Sequence, residues 1–313
     1  MSKKVGFWEF FQGLGKTFML PVSLLAACGI MLGIGSSFAS SVTAEVLPFL
    51  KVPVIKLFFE FMSTIGSFAF SNLPIMFAMA IPLGLARQDK GVAAFSGYVG
   101  FVMSSMTANF FLKVTGTLAT PENMKAAGQA MVFGIQSVDI GVLGGVIIGV
   151  IVYKIHDKFC EIKLPDALAF FGGARFVPIV NTVVFMGISL VMVFIWPAVA
   201  NMISYFGTIT EGLGLVGAFI YGLILRSFYV IGLHHVFYLP FWTTAAGGTL
   251  EIGGKVIEGW QTIFLAQLAD PNTTHYFSNI ALYNSGRYFH MLFTMPAVCL
   301  AMYRAIPAGP KRK

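Results

Sequence analysis

Charged residues punctuate this chain at wide intervals, and the gaps between them predict its elements. A charge held at mid-bilayer costs several kcal/mol, so an apolar stretch of about 20 residues without one reads as a crossing helix. Thr17–Ala44, Phe61–Ala86 and Gly91–Leu112 carry no charge, and Met131–Tyr153 carries only Asp139. Phe176–Thr210 is an uncharged run of about 35 residues, too long for one upright helix. It predicts either a long tilted helix or a helix with an interfacial piece. Gly212–Leu225 and Tyr288–Tyr303 add shorter apolar runs.

The charges between these runs predict an orientation. Lys3, Lys4 and Lys16 precede the first run, Arg87 and Lys90 follow the second, and Lys154, Lys158, Lys163 and Arg175 follow the fourth. These are alternate loops, which places the N-terminus in the cytoplasm by the positive-inside rule. Arg304 and the final "KRK" also belong inside. That requires one more crossing, or a re-entrant pair, between Arg226 and Arg287. The turn-rich "TTAAGGTLEIGGK" suits the end of such a hairpin. Broken helices at membrane depth line wet cavities and are where transporters hold substrate. The expected fold is an all-α polytopic membrane protein with about six to seven transmembrane helices plus a re-entrant hairpin. Residues 1–16, with Phe7, Trp8, Phe10 and Phe11, read as an amphipathic lead-in on the cytoplasmic membrane surface.

Composition narrows the class. The chain is 57% hydrophobic and 11% charged, with a mean hydropathy of +0.82. A soluble domain carries about 25% charged residues, so a soluble enzyme or binding module is excluded. The formal net charge of +7 reads as a topology signal, and no nucleic-acid partner is expected. Cys28, Cys160 and Cys299 show neither disulfide nor metal spacing, and no metal or cofactor is expected.

The chemistry concentrates in "RSFYVIGLHHVFYLPFW", Arg226 to Trp242. If the stretch is helical, Arg226 and His234 lie near one face, roughly two turns or about 12 Å apart. Arg226, His234 and His235 offer hydrogen bonds, while Tyr229, Phe237, Tyr238 and Trp242 offer ring faces. That combination suits a sugar. The other reading is that Arg226 snorkels to the interface and the histidines cap backbone groups. Arg175, in "LPDALAFFGGARFVPIV", suits either a phosphate or anionic-partner contact or an interface anchor. Asp139 suits a helix start.

Three blocks, "LPDALAFFGGARFVPI", "GLHHVFYLPFW" and "FLAQLADP…SGRYFHMLF…PAVCLAMYRAIP", resemble the glucose–maltose superfamily of phosphotransferase-system permeases, the enzyme IIC membrane components. "FYLPFW" and "GGTLEIGGKVIEGWQTIFLAQLADP" are most similar to the maltose and α-glucoside branch. The resemblance implies an elevator-type permease of the bacterial inner membrane. Such a permease binds an α-glucoside such as maltose and carries it inward, where a phosphorylated IIB partner phosphorylates it. It implies a lipid-embedded homodimer, with residues 17–210 as scaffold and dimer interface and 211–313 as the first part of the sugar-transport domain. It also implies a sugar site at Arg226, His234 and His235, framed by Tyr238 and Trp242. The family's base, a glutamate in a Thr-Glu-Pro motif, does not occur in this sequence, so no catalytic residue is assigned. The resemblance spans roughly the first two-thirds of the membrane component. The chain is therefore expected to be a truncated product, a fragment or half of a split protein. Beside the α-glucoside reading stand a glucose-type permease, an inactive fragment acting only as a dimerising scaffold, and an unrelated ion-coupled carrier. The last needs intramembrane acids that this chain almost entirely lacks.

Overall fold

A computed structural model describes residues 7–121, 123–124, 127–230, 234–252, 255–269, 273–284 and 290–305. Helices occupy the charge-free runs, except that residues 131–138 of the run expected to cross at Met131–Tyr153 form a β-hairpin and its helix starts only at Gly141. α1 (Phe7–Thr17) leads into α2 (Met19–Ala39), and the short α3 (Ser41–Val46) and a 3-10 turn at Pro48–Lys51 precede α4 (Pro53–Ser71). α5 (Leu73–Leu85) begins one residue later, so the second run is two helices meeting at Asn72. Pro74 explains the joint. It fits the first turn of α5, whose N–H groups need no helical acceptor, but it cannot continue α4.

α6 (Lys90–Val114) ends in a loop and an antiparallel hairpin, β1 (Gln129–Val132) and β2 (Ile135–Val138). Its two-residue turn, Phe133–Gly134, has φ of 50° and 76°, the left-handed pair that matches strand twist. α7 (Gly141–Phe159) follows, then 3-10 turns at Asp166–Phe171 and Gly173–Arg175, and then α8 (Phe176–Gly212). α8 is one unbroken helix of 37 residues, about 55 Å at 1.5 Å per residue. Of the two expectations for this run, the single long helix holds. The last elements are α9 (Leu215–Val230), α10 (His234–Thr243), a second hairpin β3 (Thr249–Ile252) and β4 (Lys255–Glu258), α11 (Trp260–Ala269), α12 (Ser278–Asn284) and α13 (Met295–Ala305). The turn-rich stretch after Trp242 thus builds the β3–β4 hairpin.

Four stretches among the described residues are long and apolar enough to cross a membrane: Glu9–Ala39, Pro53–Ser71, Lys90–Val114 and Gly173–Gly212. Leu73–Leu85, Leu215–Tyr229 and Met291–Ala305 are shorter apolar helices. The chain is a helical membrane protein, with two small hairpins among the described residues.

Packing in the first two-thirds runs backbone to backbone. A Cβ at Gly35 or Gly66 would strike the facing helix of the α2–α4 pair, at Ser63 and Leu32 respectively. Gly145 of α7 abuts the Pro74 carbonyl of α5, and Gly97 of α6 abuts that of Ala78. Small residues permit this approach where lipid offers no hydrophobic drive. α1 turns Phe10 inward, stacking on Tyr153 at 6.3 Å, and Leu14 is buried in the core. At one end of the bundle the α5–α6 and α7–α8 loops meet. The Gln88 amide donates to Glu161 at 2.7 Å, and the Gln88 carbonyl lies 3.0 Å from His156 Nε2.

Candidate functional site: an aromatic ladder on α9 and α10

The described residues of the stretch from Arg226 to Trp242 are helical on both sides of 231–233. α9 carries Arg226 and Tyr229, and α10 begins at His234; residues 231–233 between them lie outside the described residues. His234, Tyr238 and Trp242 follow at spacings of four, so they share one face of α10. The two helices join through rings. The Arg226 guanidinium sits 5.4 Å from the Tyr229 ring centre. Tyr229 stacks on His234 at 3.9 Å with planes 12° apart. His234 lies 6.1 Å from Tyr238, Tyr238 lies 4.3 Å from Trp242, and Trp242 meets Trp260 of α11 edge-on at 5.9 Å. Arg226 and Tyr229 are exposed, His234 and Trp242 are half-buried, and Tyr238 and Trp260 are buried.

The predicted residues Arg226, His234, Tyr238 and Trp242 therefore form one continuous assembly. The contact is by stacking rather than by the two-turn helical spacing expected from the sequence. The side chain of His235 lies outside the described residues. Arg175 belongs elsewhere: it donates to the Phe170 carbonyl at 3.3 Å and lies 5.1 Å from the Phe170 ring, within the α7–α8 loop. Asp139 takes the expected place before α7, accepting the Gly141 N–H at 3.1 Å.

Sequence reasoning missed Trp260 and Tyr283. Tyr283 meets Tyr221 edge-on at 5.0 Å and donates to the Ala246 carbonyl at 2.9 Å, tying α12 to α9 and the turn before β3. Burial, followed by the nearby Glu211 carboxylate, holds its phenol well above the usual range, so it stays neutral. Only the clustering of rings in this third of the chain hinted at such a role.

Two large cavities flank this region. One, of about 700 Å³, is walled by Asp139, Trp196, Asn201, Thr243 and Glu258 among others. The other, of about 660 Å³, is apolar, between Leu143, Phe206, Tyr221 and Phe237. Neither is lined by Arg226, His234, Tyr238 or Trp242. Chemically, the ladder offers guanidinium and imidazole groups for hydroxyls and ring faces for C–H surfaces. No group of three or more metal-ligating side chains occurs among the described residues.

Two comparisons with known proteins match nearly the whole chain. The family described as "Phosphotransferase system, EIIC" matches residues 15–313. The maltose-specific EIICB component of the phosphotransferase system of Escherichia coli (strain K12) is 48% identical over 306 residues, covering 96% of this chain. The chain spans 58% of that relative's length.

Proposed function

The chain belongs to the phosphotransferase-system EIIC family, and from that premise we propose that it binds an α-glucoside such as maltose on the Arg226–Trp242 ladder. The sugar is then moved inward for phosphorylation by a IIB partner. The observation that carries the reading is the stack of Arg226, Tyr229 and His234, open at its Arg226 end and closed by buried Tyr238. A pyranose presents C–H faces to rings and hydroxyls to polar edges, which is the pattern this ladder offers. The maltose specificity printed for the 48%-identical relative supports the same sugar class. In this reading residues 17–210 are the scaffold and dimer interface, residues 211–313 belong to the moving part, and the lysine-bearing loops face the cytoplasm.

The test is sugar binding by the purified chain in lipid nanodiscs. Arg226→Ala and His234→Ala each weaken maltose binding by about 1–3 kcal/mol, the cost of a lost buried polar partner. That corresponds to roughly 5- to 150-fold in Kd. Glucose titrated in parallel separates the α-glucoside reading from a hexose one. Unchanged affinity in both variants removes the assignment.

A further inference from the structure

Three polar side chains of the helix bundle are fully buried with atoms that meet no protein partner. They are the Ser96 hydroxyl on α6, Nδ1 of His156 on α7 and the Asn181 carboxamide on α8, with fractional exposures of 0%, 1% and 0%. Packing brings all three to one level. Ser104 Oγ and Ser189 Oγ lie 2.9 Å apart, which pairs α6 with α8 at an offset of 85 residues. Gly100 meets Phe185 at the same offset; a Cβ there would lie 2.7 Å from the Phe185 ring and 3.2 Å from Val152 Cγ2. One turn further along, the offset pairs Ser96 with Asn181. α7 runs opposite to α6, so the step from Gly100 back to Ser96 matches the step from Val152 forward to His156. Residues four apart share a helix face, so the three groups face the space adjoining the Gly100–Val152–Phe185 contact.

The proton on His156 follows from its other nitrogen. Nε2 lies 3.0 Å from the Gln88 carbonyl, which can only accept. Nε2 therefore carries the hydrogen, and in the neutral imidazole Nδ1 is an acceptor in need of a donor. Buried polar groups are almost always hydrogen-bonded, because leaving one unmet costs free energy. Charge decides what meets these. Arg87, Asp89, Lys90, Lys154, Asp157, Lys158, Glu161, Lys163 and Arg175, ionised residues of the adjoining turns and loop, are all exposed. The space thus offers no carboxylate for a cation and no guanidinium or ammonium for an anion. The fitting ligand is neutral, small, and both donor and acceptor.

We propose that Ser96, His156 and Asn181 form an internal water-binding site joining α6, α7 and α8. Water donates to His156 Nδ1 and exchanges hydrogen bonds with the Ser96 hydroxyl and the Asn181 amide. Through His156 and Gln88 the site braces the junction of the two lysine-bearing loops.

Ser96→Ala gives a signed test in the full chain. If the hydroxyl bonds to held water, its loss lowers the melting temperature in nanodiscs by roughly 2–4 °C. An unchanged or raised melting temperature means the hydroxyl has no partner, and overturns the site. A second readout needs no variant. In histidine- and valine-labelled chain, water-edited solid-state NMR should show faster transfer from water to the His156 ring than to the Val152 methyls, which are equally buried. Equal slow transfer at both, or a direct Asn181–His156 coupling without water transfer, contradicts the proposal.

Discussion

The α2–α8 bundle and the α9–α12 region are held together by different balances of the same two means, close glycine contacts and ring contacts. In the bundle, helices touch through glycines, so that Gly35, Gly66, Gly97 and Gly145 each admit a neighbouring backbone. In the later region rings carry many of the links: Tyr221 meets Tyr283, Tyr229 stacks on His234 and Trp242 meets Trp260, while Gly247 and Gly259 lie against the backbones of Phe241 and Trp242. One bridge between the regions is of the first kind, with Gly207 of α8 against the backbone of Ala246, and a shared core of Phe18, Phe77, Tyr221 and Phe241 adds apolar packing. Backbone-to-backbone contact fixes register, since a shift of one residue brings a side chain into the space a glycine left open. Rings present broad faces whose stacking tolerates small displacements. The proposed function accordingly assigns the bundle the fixed part and the ladder the part that closes around the sugar.

Substitutions test that difference, beginning with the largest effect. Gly145→Leu inserts a side chain where α7 meets the Pro74 carbonyl, and costs about 3 kcal/mol or prevents folding. Thermal unfolding in detergent measures it, and a wild-type melting curve would mean that α5 and α7 are not locked. On α2 two nearby glycines give a sharper contrast. Gly35→Ala meets the backbone of Ser63 and destabilises by about 1–3 kcal/mol. Gly33→Ala has nothing within 4 Å and stabilises by about 0.5–1 kcal/mol through helix propensity. Equal effects at the two sites would show that α2 and α4 do not pack as described. In the ladder, Trp242→Leu removes the stack on Tyr238 and the edge contact with Trp260 for about 1.5 kcal/mol. Its melting curve should shift far less than that of Gly145→Leu, whereas its sugar affinity should fall.

Much of the bundle was legible because charge is expensive at membrane depth. Asp139 marked the start of α7, and the run from Phe176 marked α8. The hairpins were not legible. Four-residue strands are too short for an alternating pattern to stand out, and Phe133–Gly134 is not a common turn pair. The break at Asn72 had its cause in plain view at Pro74, yet an uninterrupted apolar run conceals a joint. Within the site, the spacing of His234, Tyr238 and Trp242 could be read as one helical face. The stacking of Tyr229 on His234 could not, because it depends on how α9 and α10 meet. Ser96, His156 and Asn181 carry no common local signal. Only the offset between packed helices relates them.

The central claim is that maltose is held by the ladder while the glycine-packed bundle stays as it is. Hydrogen–deuterium exchange of the chain in nanodiscs, with and without saturating maltose, tests this most directly. Peptides covering α9, α10 and the start of α11 should gain protection with maltose, those from α5, α6 and α7 should not change, and Arg226→Ala should move the gain to a roughly 5- to 150-fold higher maltose concentration. Protection confined to α5–α7, or no maltose-dependent change anywhere, would contradict the account.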